Sequence, residues 1–249
     1  MMKSVNLNLI AAGLLWGTVI PHASAAITLD RTRVIYVSDQ KSISINITNE
    51  NKQYPFLAQA WLDDAQLQSI DGPLMVLPPI QRVEPGESSV VRITQLPEAS
   101  QLPQDRESLF YFNLREIPPK SEQPNSLQLA LQTKIKVFYR PKAIVAAKDA
   151  VWQEKLVFRQ TSTGLIVENP TPFYVTLLNM KQTTKKSEGE KVDEFKALMI
   201  APNSSETLAL PNLNLSSFTV SYINDHGGYP QLHFTCSNQL CRVTPASKK

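Results

Sequence analysis

Between Glu107 and Arg140 the chain reads ESLFYFNLREIPPKSEQPNSLQLALQTKIKVFYR, and this stretch limits the fold more than any other. Aromatic and polar residues alternate from Phe110 to Leu114, a Pro-rich turn follows, and Leu127, Leu129 and Leu131 then recur at a period of two ahead of Thr133, Lys134 and Lys136. A period of two is the signature of a strand, because successive side chains point to opposite faces. Two strands joined by a turn are therefore expected, with the leucines on one face and Gln128, Ala130, Gln132 and Lys136 on the other. If this strand lies at the edge of a sheet, its open N–H and C=O groups can pair with a second chain while the leucines enter that chain's core.

The same style runs through the rest of the sequence. Short β-branched or aromatic runs are broken every ten residues or so by Pro, Asn, Asp or Gly, as at Asp71-Gly72-Pro73 and Glu84-Pro85-Gly86-Glu87, which suit tight turns. Seven such runs lie between Ile27 and Arg140; they include single strands over Ile27 to Val37, Leu74 to Arg82 and Ser126 to Arg140. A looser segment from Pro141 to Lys148 shows neither alternation nor a cap. Seven more runs follow, among them Trp152 to Arg159, Glu194 to Ile200 and Gln231 to Val243, with the polar stretch Lys181 to Asp193 expected as a mobile hairpin loop. The pattern predicts an all-β protein of two immunoglobulin-like β-sandwich domains, residues 26–143 and 149–245.

Residues 1–25 combine basic Lys3, an apolar run from Leu7 to Ile20 and the small-residue ending Ala23-Ser24-Ala25, the form of a cleaved secretory signal peptide. No later segment approaches the roughly 20 apolar residues of a membrane span. The formal net charge is +3, falling by one once Lys3 leaves with the leader, and the charges are interspersed, so nucleic acid is not an expected partner. In an exported chain the only two cysteines, Cys236 and Cys241, are expected to form a local disulfide that staples one hairpin. A zinc site built from them with His226 and His233 is the weaker alternative. GxSxG, HExxH and Gly-rich phosphate loops do not occur, and no nucleophile with a nearby base can be named; neither an enzyme nor a cofactor is expected.

Several segments together resemble the PapD-like periplasmic pilus chaperones. They are Asp30-Arg31-Thr32-Arg33-Val34, Gln81-Arg82 with Pro85-Gly86, Arg106 to Pro119, Leu127 to Pro141, Glu168 to Val175 and Ser221 to Asp225. The resemblance covers the whole mature chain and implies two immunoglobulin-like domains set in a boomerang, with the working cleft between them. It further implies that Arg33 and Lys136 anchor the C-terminal carboxylate of a pilin subunit, and that Leu127, Leu129 and Leu131 complete the subunit's unfinished fold. Glu107, Arg140 and Asp225 would form a charged network joining the domains.

The short, cysteine-free connection between Pro119 and Leu127 is similar to the branch of that family that serves rod-type pili. The function implied is a periplasmic chaperone that prevents subunit aggregation by donor-strand complementation and delivers subunits to an outer-membrane usher. Exposed leucines would also favour a self-capping homodimer when no subunit is bound. The alternative, a structural or adhesive fimbrial subunit, would be a single incomplete sandwich with an early cysteine pair, whereas this chain carries two strand sets and a late pair.

Overall fold

The computed structural model describes residues 25–122, 125–148, 150–184, 187–210 and 215–244. The expected leader lies outside these residues except for Ala25, as do the domain limits expected at 149 and 245. Among the described residues no helix is long and apolar enough to cross a membrane.

Among the described residues ten strands form the first half: β1 (Ile27–Leu29), β2 (Arg33–Val37), β3 (Ser42–Asn49), β4 (Phe56–Asp63), β5 (Ser69–Ile70), β6 (Leu74–Leu77), β7 (Ile80–Val83), β8 (Ser88–Gln95), β9 (Ser108–Ile117) and β10 (Gln132–Arg140). They build two sheets, β1-β3-β8-β6 and β2-β10-β9-β4-β5, with β7 also paired to β4. Alternate residues of both sheets, among them Tyr36, Ile45, Ile47, Ile93, Phe112 and Val137, are withdrawn from water into one core, as expected of packed sheets with one apolar face each.

The described residues of the second half form nine strands: β11 (Val157–Thr161), β12 (Gly164–Asn169), β13 (Val175–Thr184), β14 (Ser187–Lys191), β15 (Leu198–Ile200), β16 (Ser204–Ala209), β17 (Ser217–Ile223), β18 (Gln231–Ser237) and β19 (Leu240–Val243). They are hydrogen-bonded in one continuous order, β14-β13-β17-β18-β19-β11-β12-β16, with β15 on β13. This ladder encloses its own core, in which the rings of Phe158, Phe218 and Phe234 lie 5.1, 4.8 and 5.2 Å apart pairwise. A buried asparagine braces each core. The Asn49 side chain donates to the carbonyls of Tyr54, Val83 and Glu84, and that of Asn169 to those of Phe173 and Ala201, so a buried amide is satisfied while fixing loops that have no ladder of their own.

Several expected strands are interrupted, each for a local reason. The run from Ile27 to Val37 splits at Asp30, so that β1 joins one sheet and β2 the other. Pro78 and Pro79 cannot donate to a ladder and separate β6 from β7. Trp152–Lys155 is a 3-10 turn, and only Leu198–Ile200 of the run from Glu194 is a strand. The run from Gln231 is a tight hairpin whose turn residues Asn238 and Gln239 have φ of 50° and 67°. The stretch from Lys181 is a hairpin as well, but with paired arms: Lys181 lies opposite Lys191 and Gln182 opposite Glu190. The largest difference concerns Ser126 to Leu131, which belong to no strand.

Candidate functional site

The edge of β10 explains that difference. On one side β9 accompanies β10 along almost its whole length, from Gln132 opposite Arg115 to Tyr139 opposite Ser108. On the other, β2 runs parallel to it only from Lys136 opposite Arg33 to Arg140 opposite Val37. Among the described residues the backbone from Gln132 to Ile135 thus has no strand on the β2 side. Upstream, one further bond from the Glu116 N–H to the Leu131 carbonyl, 3.0 Å, is the last rung. Beyond it the partner strand ends at Ile117 and gives way to Pro118-Pro119. A strand exists only as part of a continuing ladder, so residues 126–131 do not form one.

Leu127, Leu129 and Leu131 consequently stand in solvent, 84%, 65% and 44% exposed. They carry the same parity as Ile135, Val137 and Tyr139, which are buried in the first core. The apolar face of β10 thus runs past the end of its own core.

Where β2 begins, two cations meet. Arg33 and Lys136 are direct cross-strand partners and therefore project from one face of the sheet. Neither forms an ion pair among the described residues, and the buried Nε of Arg33 has no hydrogen-bond partner. Neighbouring Arg31 differs, since Asp30 accepts from its Nε and Nη2 at 2.8 Å each. Burial pulls the Arg33 pKa below its ordinary value, and burial together with the Arg33 charge does the same to Lys136. A carboxylate placed between them would answer both effects: a guanidinium fork and a mobile ammonium suit its two oxygens. A cleft of about 560 Å³ beside Arg33 is lined by Thr32 from the first half and by Asp225, His226 and Gly227 from the second.

The three charges expected between the domains are brought together by the structure. Arg140 Nε donates to Glu107 Oε1 at 2.7 Å, while its Nη1 and Nη2 donate to Asp225 Oδ2 and Oδ1 at 2.6 and 3.0 Å. The other Glu107 oxygen accepts from the Tyr174 amide at 2.7 Å, and the Glu107 amide donates to the Pro172 carbonyl at 2.9 Å. The guanidinium also lies 5.2 Å from the Trp152 ring and 4.9 Å from that of Phe173. Burial pushes the Glu107 carboxyl up to about 7 against the pull of Arg140. Gly227, at φ +79°, sits so close to Thr32 that an added Cβ would lie 2.6 Å from its Oγ1, which pins the loop carrying Asp225 against β2's approach.

Cys236 and Cys241 are cross-strand neighbours joined by a disulfide, with Cα atoms 3.9 Å apart. The thiolates of the zinc alternative are thereby used, and His226 lies instead in the loop beside Arg33. Four residues on the same face as Arg33 and Lys136 escaped sequence reasoning: Trp61, Asp63, Tyr111 and Lys134. Asp63 accepts from Trp61 Nε1 and from Lys134 Nζ, 3.0 Å each, and Lys134 Nζ stands 5.6 Å above the Tyr111 ring. The alternations Trp61-x-Asp63 and Lys134-x-Lys136 were the available signal, since period two places each pair on one face.

Two sandwich cores, an unpaired strand edge bearing exposed leucines, and two cations where that edge meets β2 make up a protein suited to binding another polypeptide by strand addition. Residues 26–145 match the family described as "Pili and flagellar-assembly chaperone, PapD N-terminal domain", and residues 151–234 match "Pili assembly chaperone PapD, C-terminal domain". The chain is 50% identical over 226 residues to the chaperone protein PapD of Escherichia coli, covering 90% of this chain and 92% of that one. It is 42% identical over 242 residues to the chaperone protein PmfD of Proteus mirabilis, covering 97% and 95%. Among solved structures, the SafB chaperone in complex with the SafA pilin of Salmonella enterica superposes with a TM-score of 0.71 at 28% identity, over 84% of this chain and 96% of that one. The chain belongs to the PapD family of pilus-assembly chaperones.

Proposed function

We propose that this protein acts in the periplasm as a non-enzymatic chaperone that lends residues 127–135 as a β-strand to a pilin subunit, with the subunit's terminal carboxylate held between Arg33 and Lys136. The observation that carries this reading is the coincidence of three features along one line of backbone: leucines just upstream of β10 that are 84%, 65% and 44% exposed, an open β10 edge from Gln132 to Ile135, and, where that edge meets β2, two cations with no ion pair among the described residues.

The geometry gives the guest a direction. Its last residue would sit at Lys136 and its preceding residues along Ile135 back to Leu127, so it would run parallel to β10 in the line that β2 vacates. Fixing the terminus fixes the register, and with it which guest side chains lie beside which leucine. A pilin that lacks its last strand exposes a groove and two unpaired edges, and is prone to aggregate. Three leucines buried at about 1.5 to 3 kcal/mol each, with a row of backbone hydrogen bonds, are large against the roughly 5 to 15 kcal/mol that stabilises a domain. Delivery of the complexed subunit to an outer-membrane usher completes the role. The network around Arg140 would set the angle at which the second domain frames the cleft.

Coexpression with the pilin subunits of its own operon tests this: a one-to-one complex should purify, and Leu127→Ser/Leu129→Ser/Leu131→Ser should yield none while keeping the fold of the free protein. Equal recovery with the triple variant would contradict the proposal.

A further inference from the structure

The carboxylate anchor is one end of a row that crosses four strands. Asp63 on β4 lies opposite Tyr111 on β9, Tyr111 opposite Lys136 on β10, and Lys136 opposite Arg33 on β2. Cross-strand partners share a face, so all four side chains project on the same side, with Asp63 and Lys136 two strand spacings, about 10 Å, apart. That separation is within the combined reach of an aspartate and an extended lysine across the Tyr111 ring. Asp63 is thus the acid of this row that could reach to neutralise Lys136. It does not: Lys134, two residues upstream on the same face, reaches over Tyr111 to Asp63 Oδ2 at 3.0 Å, and Trp61 Nε1 donates to Oδ1 at 3.0 Å. Both carboxylate oxygens are engaged, and the Asp63 side chain is only 8% exposed. Trp61 is itself held by Arg115, whose guanidinium lies 5.1 Å from the ring and whose Nη2 donates to Gln132 Oε1 at 3.2 Å.

We propose that Lys134 is a positioning residue for the anchor: by holding Asp63 with an ammonium that lies over the Tyr111 ring it keeps Lys136 unpaired and open to an incoming terminal carboxylate. This rests on the anchor reading given above. A single lysine on this face would be captured by the sheet's own aspartate, and the guest would have to displace it. Two lysines at i and i+2 divide the work, one satisfying the internal acid and the other left for the guest.

The test uses the full mature chain and four variants: Lys134→Met, Lys134→Arg, Asp63→Asn, and Lys134→Met with Asp63→Asn. The first readout is the Lys136 side-chain titration by NMR. The second is the affinity ratio for an alternating apolar–polar peptide of about 12 residues, roughly 3.3 Å per residue, offered with a free carboxylate or as the amide. Lys134→Met should release Asp63 towards Lys136, raise the Lys136 titration by about 1 unit as expected for a new opposite charge within 4–6 Å, and cut the preference for the free acid about tenfold. Lys134→Arg and the double variant should behave as wild type in both respects, and Asp63→Asn alone should keep the preference. If the methionine variant does not fold, Lys134→Gln should move both readings in the same direction by less. An unchanged Lys136 titration in a folded Lys134→Met or Lys134→Gln protein would overturn the proposal. Failure of the anchor reading would show separately, as a wild type that binds acid and amide peptides equally, and the titration would still decide whether Lys134 restrains Asp63.

Discussion

Arg33 and Lys136 stand side by side across the parallel pairing of β2 with β10, at the point where β2 stops covering the β10 edge. Under the proposed function their position links the two halves of the site, because an anion held there would mark one end of the strip that a guest strand occupies. Arg33→Ala or Lys136→Ala is expected to abolish subunit capture, in line with the 2–5 kcal/mol or more that truncating a charge in a buried hydrogen-bonded pair costs a complex. The melting temperature of the free protein should hardly change, since neither cation has an ion pair to lose among the described residues. Pull-down and thermal unfolding of the same preparations check both halves of the statement.

The carboxyl of Glu107 predicts a pH dependence whose sign is fixed by its burial. Its pKa is raised from an ordinary 4.5 to about 7, so the folded state holds this proton more tightly than the unfolded chain does. The corresponding stabilisation is fully present below 4.5 and is lost as pH rises through about 7, amounting to at most about 3 kcal/mol. Arg140, Asp225 and the Tyr174 amide face the same carboxyl, so the contribution is to be read from a difference. Between pH 4.5 and 7.5 the unfolding free energy of wild type should fall relative to that of Glu107→Gln, with the glutamine variant showing the flatter profile.

Asp225 joins the second domain to Arg140 through two hydrogen bonds. Its side chain is 27% exposed, so Asp225→Ala should cost less than the 3–5 kcal/mol of breaking a fully buried pair, roughly 1–3 kcal/mol. The sharper consequence is geometric: Arg140 keeps Glu107 but loses its hold on the loop beside Thr32. Small-angle scattering should show a broader distribution of interdomain distances in the variant, and an unchanged curve would remove the network from the account of domain orientation.

The alternation of apolar and polar residues made the β architecture and most strand positions legible in the sequence. What it could not supply was partnership. Ser126 to Leu131 alternate as regularly as Gln132 to Arg140, yet only the latter form a strand in the free chain, because Pro118-Pro119 ends the ladder on the β9 side. The break at Asp30 is likewise a matter of which sheet each half joins. For the site, the leucines announced themselves by periodicity, and the resemblance to a known family pointed to Arg33, Lys136, Glu107, Arg140 and Asp225. Their mutual placement depends on register across strands distant in sequence, which no local pattern encodes. The engagement of Asp63 by Lys134 across 71 positions was invisible for the same reason.

The most direct measurement of the central claim is amide hydrogen exchange across residues 126–135, in dilute free protein and in complex with a pilin subunit. The account predicts rapid exchange at Leu127, Leu129 and Leu131 in the free chain and strong protection of the same amides in the complex, while β9 is protected in both. Amides in this segment that are already protected in the free monomer, or that stay unprotected in a stable complex, would contradict it.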